Sequence, residues 1–393
     1  MKYFFILGTN PTLSLAELSA IFNQAEITLA QPNVAILETD REIKANFIEI
    51  IGGTIKFGLI HEELESGAVK EIIAGAAKMI EPKEGEGKFK FGLSNYGHKV
   101  NNKVLGMEFK KHLKQTGVSS RWVVSQEPTL SSVVVEQNKL TTDRGAEIVI
   151  IKNNKKLLLG KTLAVQAFKD LSFRDYGRPA RDDRSGMLPP KLAQIMINLA
   201  GVKPGDVLLD PFCGSGTILT EAMLMGYEKL IGSDISDKAI ADTKDNIAWT
   251  QKNYELKALD FKLYQADAAQ ISKKLEANSV DAIITEPYLG PQRGRFDVRQ
   301  IAKELEQLYS LSLNDFKKIL KPSSRLVMVW PIFFDKGKNI FLNPNLNGYQ
   351  IINPVPTNLQ KNAFIKLTER QTMVYGRENQ KVWREIVVLG KLS

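Results

Sequence analysis

The octapeptide Asp210-Pro211-Phe212-Cys213-Gly214-Ser215-Gly216-Thr217 constrains this chain more than any other stretch. It follows an apolar run, Val207-Leu208-Leu209, and precedes a helix-like run from Ile218 to Met225. Strand, glycine turn and helix is the layout in which a backbone passes close to a bound nucleotide. Glycines lack the Cβ atoms that would block the approach. The helix N-terminus adds free N–H groups and a positive dipole end. A Gly-x-Gly after a strand is also a common tight turn, so its neighbours decide what it means.

Those neighbours carry acids at successive strand ends. A second apolar strand, Lys229-Leu230-Ile231-Gly232-Ser233, ends in Asp234, where a carboxylate can accept both hydroxyl hydrogens of a ribose. Ser236 or Asp237 then caps a helix. A third short strand is expected to end at Asp267-Ala268, with its carboxylate toward an adenine amine. An NTPase loop would need a Lys after the glycines, and none is there. A dinucleotide site would want a third glycine where Leu219 stands. The turn opens instead on Asp210, which repels phosphate and attracts a cation. S-adenosylmethionine carries a sulfonium and an ammonium and no phosphate. The octapeptide resembles motif I of class I methyltransferases, particularly those acting on exocyclic amino groups of bases.

The 393 residues are enough for two or three domains. The single cysteine, Cys213, excludes an internal disulfide framework and a Cys-rich zinc site, and no metal centre is expected. Such cysteine usage points to a reducing, cytoplasmic home. No run approaches the ~20 apolar residues of a membrane span. The net charge of +9 is unevenly spread: residues 1–80 carry −4, residues 81–185 carry +8 and residues 186–393 carry +5. The basic middle suggests an electrostatic footprint for nucleic acid; a solvated basic face accounts for the charge equally well.

Residues 1–80 alternate short strands (Tyr3–Leu7, Ala35–Leu37, Ile55–Ile60) with helices (from Ser14, over Ile43–Ile51 and over 67–80), an α+β ferredoxin-like pattern. Glu81 to Gly87 reads as a linker. In 88–170, strands are expected over Lys88–Leu93, Ser119–Val124, Glu147–Ile151 and Leu157–Ala164. Helices are expected over Val104–Gln115 and Leu130–Leu140, and Asn153-Asn154 forms a hairpin turn. Residues 171–188 lack apolar periodicity and read as a linker. Its arginines, Arg174 and Arg178 among them, suit phosphate, with Phe173 and Tyr176 available to stack. From 189 onward, alternation predicts a doubly wound parallel sheet. Thr372–Tyr375 and Trp383–Leu389, flanking Gly376 to Asn379, predict a closing antiparallel hairpin.

Residues 88–170 resemble a THUMP domain. The resemblance rests on Lys110-Lys111-His112-Leu113-Lys114, Ser120-Arg121-Trp122, Asn138-Lys139-Leu140, Gly145-Ala146-Glu147-Ile148-Val149 and Gly160-Lys161-Thr162. The run Gly186-Met187-Leu188-Pro189-Pro190-Lys191-Leu192-Ala193 closely resembles the entry to the catalytic domain of THUMP-bearing tRNA guanosine-N2 methyltransferases. The resemblance implies a Rossmann-like class I methyltransferase domain behind an N-terminal module that grips tRNA near its 3′ acceptor end. It implies S-adenosylmethionine as cofactor and N2 of a guanosine, at position 10, as target. Asp210, Pro211, Gly214, Gly216 and Thr217 would shape the methionine pocket. Asp234 would take the ribose, and Asp267 with Ala268 the adenine edge. Lys110, Lys111, Lys114, Arg121, Arg174 and Arg178 would meet the RNA. A small activator subunit stays open as a further partner.

The expected catalytic turn is Thr285-Glu286-Pro287-Tyr288-Leu289-Gly290. Amino-methyltransferases carry Asp/Asn/Ser-Pro-Pro-aromatic there. An exocyclic amine is a poor nucleophile because its lone pair is delocalised into the ring. An acid or amide oxygen and a backbone carbonyl accept its N–H groups, and the aromatic ring stacks on the base. Without gaps, Glu286 replaces the Asp, Tyr288 the second Pro and Leu289 the aromatic. With a one-residue gap, Glu286-Pro287-Tyr288 keeps acid, proline and aromatic. Both alignments keep Glu286 as the catalytic acid with Pro287. Cys213, inside the cofactor turn, reads as a packing residue and not as the nucleophile of a base-carbon methyltransferase. Other substrates, an rRNA guanosine or a DNA adenine amine, stay open, as does an RNA-binding protein with a degenerate site.

Overall fold

The computed structural model describes the chain apart from residues 23–25, 81–86, 182–186, 258, 292–293, 295, 336, 347, 377–379 and 393. The linker expected at Glu81–Gly87 therefore lies outside the described residues, save Gly87. Arg184 and the Arg377-Glu378-Asn379 part of the last hairpin turn also lie outside them.

The first module comprises β1 (Lys2–Leu7), α1 (Pro11–Ile21), β2 (Glu26–Gln31), β3 (Val34–Glu38), β4 (Thr54–Leu64), α2 (Val69–Lys78), β5 (Phe89–Tyr96), α3 (Asn102–Gln115), β6 (Ser120–Val123), α4 (Ser132–Gln137), β7 (Gly145–Asn153) and β8 (Lys156–Val165). These strands form one eight-stranded sheet in the order β2-β3-β1-β4-β8-β7-β5-β6. The two units expected over 1–80 and 88–170 are thus joined edge to edge where β4 pairs antiparallel with β8. Inside that joint lies a charged pair. Lys56 Nζ donates to Glu147 Oε1 at 2.5 Å, and both side chains are essentially closed to solvent. Thr162 Oγ1 donates to the other carboxylate oxygen at 2.6 Å, and Lys56 also reaches the Leu130 carbonyl at 2.9 Å. A buried charge is tolerated only when it is paired and hydrogen-bonded, and both groups here are.

Several local expectations change. β2 has no counterpart in the sequence reading; it pairs with β3 through a two-residue loop, Pro32-Asn33. The helix expected over Ile43–Ile51 is a 3₁₀ turn at Ala45–Ile50. The stretch taken as linker from 171 is helical at its start, as α5 (Phe168–Tyr176). Its polar sequence is explained by ion pairs along its inner side. Arg174 binds Asp170 and donates from Nε to Glu221 at 2.8 Å.

The second module runs α6 (Pro190–Leu199), β9 (Val207–Asp210), α7 (Thr217–Leu224), β10 (Lys229–Asp234), α8 (Asp237–Asn253), β11 (Asp260–Gln265), β12 (Val280–Thr285), α9 (Val298–Ile319), β13 (Leu320–Asp335), β14 (Lys338–Phe341), β15 (Tyr349–Ile351), β16 (Met373–Tyr375) and β17 (Val382–Lys391). The sheet order is β11-β10-β9-β12-β13-β17-β15, with β14 beside β13 and β16 beside β17. β9 to β13 are parallel, whereas β17 runs antiparallel between β13 and β15. The core strands Val207–Leu209, Ala282–Ile284 and Leu326–Trp330 read as continuous apolar runs because helices cover both faces. The third strand stops at Gln265. Asp267 lies past it and caps a 3₁₀ turn through Ala269 N at 2.9 Å, where a strand end was expected.

The modules meet along α6, which is buried from Leu192 to Leu199. Gly52 approaches so closely that a Cβ there would stand 2.0 Å from the Lys191 carbonyl. The enclosed Glu17 carboxylate accepts from Gly52 N, Gly53 N and Asn198 Nδ2, all within 2.9 Å. Asn198 also donates to the Ile50 carbonyl, and Gln194 bridges the Glu49 carbonyl to Glu221. The first module is thereby fixed to the helix that enters the second. Among the described residues, no helix is long and apolar enough to cross a membrane and no acid, histidine or cysteine cluster could hold a metal.

Candidate active site

The order β10-β9-β12 reverses direction between β9 and β12, which makes their C-terminal ends the crevice of the sheet. Asp210 ends β9 and Thr285 ends β12, and Thr285 Oγ1 donates to Asp210 Oδ1 at 2.7 Å. Phe212 N donates to the same oxygen at 3.2 Å. Oδ2 has no hydrogen bond among the described residues. Burial pushes the Asp210 carboxyl up to about 7, against the two hydrogen bonds that favour its charge; Asp234 and Glu286 nearby add to the rise.

The glycine turn adopts the shape its sequence requires. Gly214 has φ +52° and Gly216 φ +81°, the left-handed region that side chains resist. Around Gly214 the space beyond the backbone is open: a Cβ would meet no described protein atom within 4 Å. Gly216 differs, since a Cβ there would press Thr243 Cγ2 at 2.9 Å. Gly214 N donates to Asp234 Oδ2 at 3.1 Å, and Ser236 N to Asp234 Oδ1 at 2.9 Å. Asp234 is thus oriented by backbone while each oxygen keeps acceptor capacity. Ile235, next to it, is 71% exposed, an apolar face held in the open beside that acid. Ala268 is buried beyond Asp267.

Two residues on α8 hold the turn and were missed. Thr243 Oγ1 donates to the Gly214 carbonyl at 2.8 Å, and Asn246 Nδ2 to the Ser215 carbonyl at 2.7 Å. Asn246 also exchanges hydrogen bonds with the backbone of Ala180, tying the segment after α5 to the turn. Their signal was available: polar side chains three residues apart on the inward side of a helix need partners. Cys213 is buried, and burial pushes its thiol up, as a packing residue requires.

Arg174 and Arg178 do not face solvent, which revises their expected place on an RNA surface. Arg174 is consumed by Glu221 and Asp170. Arg178 Nη1 donates to Thr217 Oγ1 at 2.5 Å at the start of α7, and its Nε has no partner among the described residues. Burial holds this guanidinium below its ordinary value. Lys110, Lys111, Lys114 and Arg121 are all exposed on α3 and β6. There α3 buries Leu105, Phe109 and Leu113 and turns its lysines outward.

At the end of β12, Glu286 is not free. Arg384, on β17, donates from Nε to Oε1 at 2.5 Å and from Nη2 to Oε2 at 3.4 Å. Both side chains are only slightly exposed, at 12% and 11%. Burial lowers the Arg384 guanidinium, but the Glu286 charge outweighs it and leaves the group raised. Nothing in the motif itself announces Arg384; its one signal is an Arg-Glu pair inside an apolar strand. Pro287 is buried. Tyr288 is 52% exposed while Leu289 is 6% exposed, and the buried Tyr309 hydroxyl donates to the Tyr288 carbonyl at 2.7 Å. Tyr288 is thus the exposed side chain of this turn and Leu289 the packed one.

The fold and this crevice define a class I methyltransferase architecture. The crystal structure of TrmN from Thermus thermophilus superposes over the full length of both chains, with a TM-score of 0.54 at 18% identity. A family model described as UPF0020, RMKL-like, methyltransferase domain matches residues 178–332. A tRNA (guanine(10)-N2)-dimethyltransferase of Methanothermobacter thermautotrophicus is 32% identical over 213 residues, 53% of this chain and 58% of that protein. One of the same name from Pyrococcus abyssi is 26% identical over 345 residues, 85% of this chain and 90% of that protein. The chain thus spans less than two thirds of the first relative's length.

The cofactor that this fold implies, S-adenosylmethionine, fits the residues present. Open space above Gly214 admits a ligand against the backbone. A buried acid with an unused oxygen meets its cationic end, and Asp234 with Ile235 offers acceptors and an apolar face for a nucleoside.

Proposed function

We propose that this chain transfers a methyl group from S-adenosylmethionine to the exocyclic N2 of a guanosine in tRNA, at position 10. The observation that carries the reading is the Thr285–Asp210 hydrogen bond. It locks an acid-Pro-aromatic turn, Glu286-Pro287-Tyr288, against a glycine turn of cofactor-binding form. The names of the relatives supply the guanosine and the tRNA.

The bound cofactor supplies a methyl group on a cationic sulfur. Asp210 balances that positive end, and Pro211, Gly214, Gly216 and the free N–H groups at Thr217 line its amino-acid arm. Asp234 accepts the ribose hydroxyls and Asp267 with Ala268 takes the adenine edge, with Ile235 against the ring. Glu286 accepts N–H from the target amine, so the lone pair localises on N2 and points at the methyl. The cofactor would give up the methyl and leave with the electron pair of its bond to sulfur, and a Glu286 oxygen would pass the surplus amine proton to solvent. The Tyr288 ring stacks on the base. The first module acts as a THUMP-type grip on the acceptor end of tRNA, with Lys110, Lys111, Lys114 and Arg121 on its phosphates.

Tritiated methyl transfer to unmodified tRNA, followed by nucleoside mass spectrometry, tests this. N2-methylguanosine is the expected product; no incorporation into any tRNA would refute it.

A further inference from the structure

We propose that Arg384 and Glu286 act as one unit that reads the Watson–Crick edge of guanine, so that the pair, not the acid alone, selects which amine is methylated. This rests on the function proposed above and deepens it.

The pair sits where the target base must lie, at the end of β12 beside the exposed Tyr288 ring. Its two halves are unevenly spent. Oε1 takes a close bond from Arg384 Nε at 2.5 Å, whereas among the described residues Oε2 receives only a long one, at 3.4 Å from Nη2. Nη2 also reaches the Met187 carbonyl at 3.5 Å. Arg384 Nη1 makes no hydrogen bond among the described residues. A carboxylate has about four lone-pair sites and a guanidinium five N–H groups. The unit therefore presents unused acceptors next to unused donors, and the planar guanidinium fork keeps the two in fixed relation.

That order of groups matches one base. Along its pairing edge guanine offers N2–H and N1–H as donors and then O6 as an acceptor. Glu286 meets the first two and Arg384 the third. Adenine and cytosine each place a ring-nitrogen lone pair next to their amine, so a carboxylate that took the amine N–H would face that lone pair. The guanidinium would face no carbonyl on adenine. An acid alone accepts any exocyclic amine; the added cation makes the surface directional. The N1–H bond to a carboxylate also sends electron density toward N2, the atom that must attack. A buried polar surface left unmatched by the wrong base is a strong source of discrimination. The salt bridge has a second consequence: it holds Glu286 in one place before the base arrives, which a longer side chain than Asp requires.

The test replaces single atoms of the substrate. In a tRNA assembled from synthetic fragments, the methylated guanosine is exchanged for 2-aminopurine riboside, which keeps the N2 amine but lacks N1–H and O6. Initial rates give kcat/KM for both substrates with the wild type, Arg384→Met and Arg384→Lys. The wild type is expected to favour guanosine strongly. Arg384→Met is expected to cut that preference by about tenfold or more, the scale of one base-edge contact, and Arg384→Lys, which keeps a donor, to retain part of it. If Arg384 merely props Glu286, both substrates slow together and the preference stays unchanged, which overturns the proposal. Thermal melting and binding of S-adenosylhomocysteine report whether each variant folds, and Arg384→Lys supplies the readout if Arg384→Met does not. A wild type inert on every tRNA overturns the proposed function and this inference together. A wild type active on guanosine with an unaltered preference in both variants overturns only the inference.

Discussion

Replacing Gly214 by alanine separates what the glycine turn does for the fold from what it does for a ligand. The backbone at Gly214 has φ +52°, so any Cβ costs about 1–2 kcal/mol of left-handed strain. No steric cost adds to it, because the Cβ would point into space with no described protein atom within 4 Å. Gly214→Ala should therefore unfold at modestly lower denaturant with an unchanged slope. Gly216→Ala is the internal control. Its φ is +81° and its Cβ would press Thr243 at 2.9 Å, the residue whose hydroxyl holds the Gly214 carbonyl. Overpacking adds about 1–3 kcal/mol to the strain, so this variant should lose more stability. Ligand binding should rank the other way per unit of stability lost. On the proposed placement the Gly214→Ala methyl would occupy the space over which the cofactor's amino-acid arm passes, and a loss of about tenfold or more in affinity is expected. Denaturant titration and calorimetry with S-adenosylhomocysteine read the two quantities separately. A Gly214→Ala protein that loses the expected stability yet binds S-adenosylhomocysteine as the wild type does would show that nothing passes over Gly214, and the cofactor placement would fall.

Three further outcomes follow from other parts of the molecule. Because burial raises the Asp210 carboxyl from 3.8 to about 7, the folded state binds its proton more tightly than the unfolded chain. That contribution to stability is present at low pH and is lost as pH rises from about 4 to about 7, a span on the order of 4 kcal/mol at most. Cofactor affinity should run the opposite way, tightening as pH rises through 7, and Asp210→Asn should flatten both profiles in melting and calorimetry. Tyr288→Ala should leave denaturant stability within about 0.5 kcal/mol while lowering methyl transfer to tRNA, whereas Leu289→Ala should cost about 2–5 kcal/mol; the reverse pattern would restore the gap-free alignment. Replacing Lys110, Lys111 and Lys114 together by alanine should weaken tRNA binding. It should also flatten the log–log dependence of affinity on salt by about 0.7–0.9 per lost phosphate contact, measured by filter binding at several ionic strengths.

How far the sequence revealed this site depends on how local each part is. The glycine turn, the acid after the second strand and the cap at Ser236 were legible because each is fixed within a few residues by backbone geometry. The doubly wound sheet and its closing antiparallel strand were legible because periodicity and chain order constrain topology. α5 was not, because its helix is stabilised by Arg174 reaching Glu221 on another helix, and a polar stretch carries no sign of such a partner. For the same reason Arg174 and Arg178 read as surface cations: composition reports charge, and only packing reports what the charge faces. The fusion of the first two units into one sheet was hidden too, since strand pairing between β4 and β8 leaves no mark in either strand's own alternation.

Glu286 shows where local reading stops. By sequence alone, a Glu in place of the Asp is a longer arm with more freedom and a less defined acceptor. The structure supplies the missing constraint from 98 residues away, in the Arg384 guanidinium. Lengthening the acid and adding a cation are therefore a single change in the physical sense. A Glu without Arg384 would be mobile, and Arg384 without Glu286 would be a nearly enclosed, unpaired charge. The two substitutions should then be non-additive. A Glu286→Gln/Arg384→Met double variant should be more stable than the sum of the single losses implies, by about 0.5–3 kcal/mol in a double-mutant cycle. Strict additivity would mean that the pair is a crevice ornament and that Glu286 stands alone.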